Sequence, residues 1–254
     1  SVLKAVAFRS KMQFVKFKPE NGMQVTALGS VGVYERDGIY QLYVERMLPA
    51  GEGALERMLA ELKARLEREG LFDPKYKQSL KLMPKAVGIV TSPTGAAVRD
   101  IIKVAKARYP GVKLYLAPVR VQGIESEQEI VQALELLDKS MLTDVIIIGR
   151  GGGSKEDLWV FNAESIVRRI FACKVPVIAA VGHETDYTLV DYAADVRAAT
   201  PSQAAELAVP DVKALLQRIK GLQSSATGQI RMELQQRKLR LERNSSDYLQ
   251  GCIK

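Results

Sequence analysis

Asp144-Val145-Ile146-Ile147-Ile148-Gly149-Arg150-Gly151-Gly152-Gly153-Ser154 joins four consecutive apolar residues to four glycines set around one arginine. A β-branched run this short, closed by glycine, reads as a strand buried on both faces. Further strand candidates lie at 86–90, 112–116 and 175–180, and two of the four are near-continuous apolar runs. Helical spacing separates them over 96–108, 127–139 and 156–172. The resulting βαβαβαβ order predicts an α/β fold, a doubly wound, mostly parallel sheet over residues 85–206.

The flanks read differently. Residues 1–49 hold short strand-like runs at 3–8, 23–28, 31–34 and 40–44, the last two joined through Arg36-Asp37-Gly38, a hairpin signal. Four strands in so little chain make a thin sheet with little core, a partial β segment. Residues 50–84 are expected to be a helix, with leucines at 55, 59, 62 and 66 and Gly70 as its cap, followed by a Pro-interrupted linker. Residues 207–254 are expected to be helical, the start of a coiled coil, with a sparse stripe of Leu215, Ile219, Leu222, Ile230, Leu234 and Leu241.

The chain has 254 residues, 47% hydrophobic and 26% charged, which excludes wholesale disorder. No apolar run approaches the roughly 20 residues that span a bilayer, so no membrane association is expected. Two cysteines, Cys173 and Cys252, exclude a disulfide framework and a multi-cysteine zinc site, and fit a cytoplasmic location. The net charge of +8 favours an anionic partner.

In an open parallel sheet, ligands bind beyond the carboxyl ends of the strands. That rim gathers Ser92, Thr94 and Gly95, then 149–154, then Gly182-His183-Glu184-Thr185-Asp186. Backbone N–H groups of Gly151, Gly152 and Gly153, with Ser154, suit an anion, and Arg150 adds a fork-shaped cation for phosphate. The loop is neither a Walker A nor a dinucleotide fingerprint. His183, the one histidine, can move a proton, and Asp186 can orient it. Arg197 is a further phosphate candidate, and Thr200-Pro201-Ser202 reads as a helix start. Asp100 is open between a site role and a solvated helix carboxylate; for Asp191 and Asp195, farther along an expected helix, solvation or structural bonding is expected. Asp100, Glu156, Asp157, Glu184 and Asp186 could approach one another around a divalent ion such as magnesium, but their spacing demands none, and no metal ligand is assigned.

Three long motifs resemble the large subunit of bacterial exonuclease VII. They are Val87-Gly88-Ile89-Val90-Thr91-Ser92-Pro93-Thr94-Gly95-Ala96-Ala97 with Asp100-Ile101; Gly149 to Ser154 with Glu156-Asp157-Leu158-Trp159 and Phe161-Asn162; and Gly182 to Asp186 through Arg197, Thr200-Pro201-Ser202 and Ala204-Ala205-Glu206. The resemblance implies an exodeoxyribonuclease that degrades single-stranded DNA from either end to oligonucleotides and nucleoside 5′-phosphates, often without added metal. It implies Asp100, Arg150, His183 and Asp186 as the catalytic set, and no required cofactor. It implies an OB-fold at the start, of which residues 1–49 resemble only the later strands, and long coiled-coil helices that carry small subunits. The chain is thus expected to be a central fragment, with self-association through its open β edge. Two other readings stand beside this one: a small-molecule enzyme binding a phosphorylated metabolite, and a non-catalytic single-stranded DNA-binding module. The partial OB-like sheet and basic tail favour a polymer over a metabolite.

Overall fold

A computed structural model describes residues 2–8, 12, 15, 17–34, 38–49, 52–123, 125–152, 156–182 and 186–251. The chain divides into two compact units, Ser1–Asp73 and Pro74–Lys254.

The first unit holds a mixed three-stranded sheet in the order β1 (Lys4–Val6), β3 (Ile39–Pro49), β2 (Val25–Tyr34), and helix α1 (Glu52–Arg68). β1 runs parallel to β3, and β2 antiparallel. The runs at 23–28 and 31–34, expected as two strands, form one strand. Gly29-Ser30 does not end it; it makes a bulge, where the pairing shifts between Leu28 and Gly29. A β-carbon on Gly29 would lie 2.0 Å from the Tyr43 carbonyl oxygen, so the bulge draws the two backbones together. Gly70 closes α1 as expected. Its N–H bonds to the Glu67 carbonyl at 2.9 Å, and that of Leu71 to the Leu66 carbonyl at 3.1 Å, a Schellman ending. Val44, Leu66 and Leu71 are the unit's buried apolar residues among those described, in keeping with a thin core.

The second unit is built on a parallel five-stranded sheet. Its strands are β4 (Ala86–Thr91), β5 (Lys113–Pro118), β6 (Val145–Gly149), β7 (Val177–Ala180) and β8 (Val196–Arg197), in the order β5-β4-β6-β7-β8. The doubly wound fold expected from the sequence is the one observed. β4, β6 and β7 are buried throughout, as their apolar runs require, whereas edge strand β5 is largely exposed. β8 has only two residues, too few to show a period in the sequence. Helices α2 (Ala96–Arg108) and α6 (Pro201–Ala208) close one face, where Ile101, Ala105, Ala204 and Ala208 pack with Val87, Ile89, Ile147 and Ile178. Helices α3 (Ser126–Ser140) and α4 (Glu164–Phe171) bury Ile130, Leu134, Ile166 and Val167.

The helix expected over 156–172 is in fact two pieces, a 3₁₀ segment at Glu156–Asn162 and then α4. The Asn162 side chain accepts from the Leu189 N–H at 2.8 Å, at the start of α5 (Leu189–Ala193). This long-range bond fixes the break. The C-terminal helical stretch likewise divides at Val209-Pro210-Asp211. Asp211 caps α7 (Val212–Gly251) through the Ala214 N–H at 3.0 Å. Most of the stripe along α7 is exposed, with Ile219, Leu222, Ile230, Leu234 and Leu241 all about 60% accessible or more. No described helix is long and apolar enough to cross a membrane.

Residues 74–84, expected as a linker, are fastened to the second unit. Lys77 bonds to the Ala194 carbonyl, Gln78 to Asp195 and to the Cys173 carbonyl, and Lys81 to Asp144. The Asp144 carboxylate also accepts from the Lys85 and Ala86 N–H groups at the entry to β4. The Lys81 ammonium, helped by these N–H bonds, holds the Asp144 carboxyl below the usual range despite partial burial. A depressed folded-state value means stability that is present above the ordinary aspartate pKa of about 4 and is lost as the pH falls through the folded one. Asp144→Ala is expected to cost about 1.5–3 kcal/mol near pH 7, the usual contribution of hydrogen bonds to a charged group. Melting curves across pH check this: the gap between parent and variant should close below about pH 4.

Candidate active site in the switch-point cleft

β4 is flanked by β5 on one side and β6 on the other, so the chain reverses its direction of sheet growth there. The crevice beyond such a point is where open α/β sheets hold ligands. The second unit has a cleft of about 100 Å³ at this rim. Its walls are Ala96, Ala97 and Asp100 from the start of α2; Arg150, Gly151 and Gly152 after β6; Ala180, Val181 and Gly182 at the end of β7; and Ala199, Thr200 and Pro201 leading into α6.

Each wall follows from local sequence. α2 starts on Ala96-Ala97 after Gly95, whose side-chain-free cap leaves the first N–H groups uncovered. A β-carbon on Gly151 would come within 3.6 Å of the Ala96 and Ala97 nitrogens, so this bare backbone lies close to those N–H groups. α6 starts on Thr200, whose hydroxyl accepts from the Gln203 N–H at 3.1 Å, with Pro201 in the first turn, as the sequence predicted. Two helix N-termini therefore open on one cleft, and both favour negative charge.

Arg150 is 6% exposed yet lines the cleft, and its own N–H is bonded to the Ala180 carbonyl at 3.2 Å. A guanidinium held in so little water acts on an anion more strongly than a solvated one. Asp100 reaches the cleft from an exposed position on α2 and is the carboxylate among its lining residues. Gly182 is required by sterics: a β-carbon there would lie 1.9 Å from the Asp186 carbonyl oxygen. The Asp186 backbone thus lies against Gly182, which sets half-buried Asp186 beside a cleft-lining residue.

Of the residues expected from the sequence, Asp100, Arg150, Gly151 and Gly152 share the cleft, and Asp186 stands at its edge. Ser92, Thr94 and Gly95 precede α2 and do not line it. His183, Gly153 and Ser154 lie outside the described residues, as do Glu184 and the side chains of Glu156 and Asp157. Arg197 is not among the lining residues: its guanidinium stacks 3.9 Å from the centre of the Tyr187 ring and lies 3.8 Å from Asp191. Asp191, 4% exposed, accepts from the N–H and hydroxyl of Thr188, both at 2.8 Å. Burial pushes its carboxyl up, against the pull of Thr188 and Arg197. Asp195 accepts from the Val177 and Gln78 N–H groups. Both acids are structural, as their sequence positions suggested. Ala180, Val181 and Ala199 had no polar signal to announce them. Thr200 and Pro201 had one, but as a helix start only. Among the described residues, no three His, Cys, Asp or Glu side chains gather as a metal site. Burial pushes the Cys173 thiol to about 12, so it is no nucleophile near neutral pH.

A family model described as exonuclease VII, large subunit, matches residues 71–252. The chain belongs to the exonuclease VII large-subunit family. A second model, for an OB-fold nucleic acid binding domain, matches residues 1–48. Family members named exodeoxyribonuclease 7 large subunit are similar throughout. One from Moorella thermoacetica is 52% identical over 243 residues, 96% of this chain and 60% of the relative. One from Bacillus subtilis is 47% identical over 246 residues, 97% of this chain and 55% of the relative. One from Ruminiclostridium cellulolyticum is 51% identical over 219 residues, 86% of this chain and 54% of the relative. The chain thus spans little more than half the length of these exonuclease VII relatives.

Proposed function

We propose that the intact protein hydrolyses phosphodiester bonds of single-stranded DNA from either end, releasing oligonucleotides and nucleoside 5′-phosphates. The observation that carries this is the cleft that joins a buried cation, Arg150, to two helix N-termini and the Asp100 carboxylate. A dianionic phosphorane needs fixed positive charge and N–H donors, and a water-excluded cleft makes both effective. Products with a 5′-phosphate require the P–O3′ bond to break, so water adds to phosphorus and the 3′-oxygen leaves with a proton. In this reading Asp100 positions the water, and His183 transfers a proton with Asp186 orienting it. The names of the relatives and the OB-fold match support a nucleic acid substrate over a small metabolite. In the first unit Phe8 and Tyr43 stack at 6.0 Å with an 8° interplanar angle, an aromatic pair suited to bases.

Two partner assignments and a location belong to the same reading. The exposed apolar stripe of α7 supports docking of the family's small subunits along this helix and its continuation. The outer strands β1 and β2 leave sheet edges for a second copy. Buried Cys173, its thiol protonated, suits a reducing cytoplasm.

The test is a cleavage assay of the full-length protein with its small subunit on labelled single-stranded and duplex DNA, with magnesium and with chelator. Single strands should shorten from both ends to products bearing 5′-phosphates, while duplex is spared. Intact single strands under both conditions would overturn the reading.

A further inference from the structure

Tyr187 follows Asp186 directly, five residues beyond cleft-lining Gly182. It is 52% exposed, whereas the next residues, Thr188 and Leu189, are each 2% exposed. Its ring is held in place while much of it stays in solvent. The Arg197 guanidinium stacks at 3.9 Å from the ring centre, and the Tyr192 ring lies at 5.6 Å with a 35° tilt. Arg197 is itself placed by β8, where it pairs with Ala179, and by Asp191 at 3.8 Å. Asp191 is locked in turn by both bonds from Thr188. Behind the exposed ring stands a chain of fixed groups, and both of its stacked members are close in sequence to cleft-lining residues: Tyr187 to Gly182, and Arg197 to Ala199, two residues on.

We propose that Tyr187, backed by Arg197, is a stacking platform for a nucleobase of the strand whose phosphate occupies the cleft. The proposal rests on the reading of that cleft as a phosphodiester site. Every base has a π-face, so an aromatic ring beside a phosphate site holds nucleotides without choosing among sequences. The arginine behind the ring adds a cation to the stack and positive charge near the backbone. Bases paired in a duplex offer no free face, so the platform selects for single strands. Tyr187 thereby acts on affinity and register, and Asp100 and Arg150 act on the bond that breaks.

The experiment measures binding by the intact protein in an Asp100→Asn background, chosen to suppress cleavage, with strand integrity checked after each titration. Two strands of equal length are compared, a thymidine oligonucleotide and its fully abasic counterpart. The ratio of their affinities isolates the contribution of the bases. Tyr187→Ala should lower that ratio by about tenfold, the usual scale of one base–aromatic stack, and leave abasic binding unchanged. Tyr187→Trp should keep the ratio. If Tyr187→Ala unfolds, Tyr187→Leu keeps the bulk without the π-face and should give the same loss. An unchanged ratio, or an equal loss on both strands, overturns the platform. Arg150→Ala tests the cleft separately: it should weaken the abasic strand, and no effect there would mean that the cleft does not hold phosphate, whatever the Tyr187 ratio shows.

Discussion

Arg150→Lys in the intact enzyme is expected to lower kcat on single-stranded DNA by about 10²–10³, the range seen when one preorganised donor to a developing oxyanion is removed. Lysine keeps the charge, so a purely Coulombic role would survive the change. Two features of the cleft argue otherwise. Arg150 is 94% buried, so its planar fork is held in one orientation with little freedom to compensate. Its backbone is pinned as well, by the N–H bond to Ala180 at the end of β7. An ammonium on a flexible stem presents three rotating donors where the guanidinium presented a fixed pair. Single-turnover cleavage checks this, with an unchanged melting temperature to exclude misfolding. A variant within a few-fold of the parent would show that charge alone is needed at this position.

His183→Ala should lower turnover by about 10²–10⁴, the usual contribution of a general acid or base. His183 is the one imidazole in the chain, and in the sequence it directly follows cleft-lining Gly182 and precedes Asp186 by three residues. The loss should also carry a signature that damage to the fold would not. The parent's pH–rate profile should carry a limb from the imidazole, and that limb should vanish in the variant. A folded variant with near-normal turnover, or one that keeps the limb, would remove His183 from the chemistry.

What the sequence revealed of this molecule follows from what is encoded locally. The runs that became β4, β6 and β7 are apolar because both faces are covered, and this burial is written residue by residue. Strand order then brings their carboxyl ends together, so Arg150, Gly151 and Gly152 could be assigned to a rim without knowing their neighbours. Features set by distant partners were not legible. The break at Asn162 depends on a bond to Leu189, and the bulge at Gly29 depends on the Tyr43 carbonyl. Arg197 shows the same limit for function. An arginine near a rim is a fair phosphate candidate, but only the fold shows it stacked on Tyr187 and facing Asp191. Asp100 is the reverse case: an exposed helix carboxylate by its own pattern, it lines the cleft together with the glycine loop.

The four walls of the cleft come from residues 96–100, 150–152, 180–182 and 199–201, so the last arrives long after the first. A chain emerging from the ribosome can fold α2 early, since helix contacts are local. The parallel pairings β4–β6 and β6–β7 must wait for the later strands, and such non-local closures are slow. α6 supplies Thr200 and Pro201 and also seals the face over Ile147 and Ile178. No partially synthesised chain ending before α6 therefore owns a complete cleft. The helix that completes the hydrophobic core on that face is the same one that completes the cleft, so packing and the last wall of the cleft arrive in a single step.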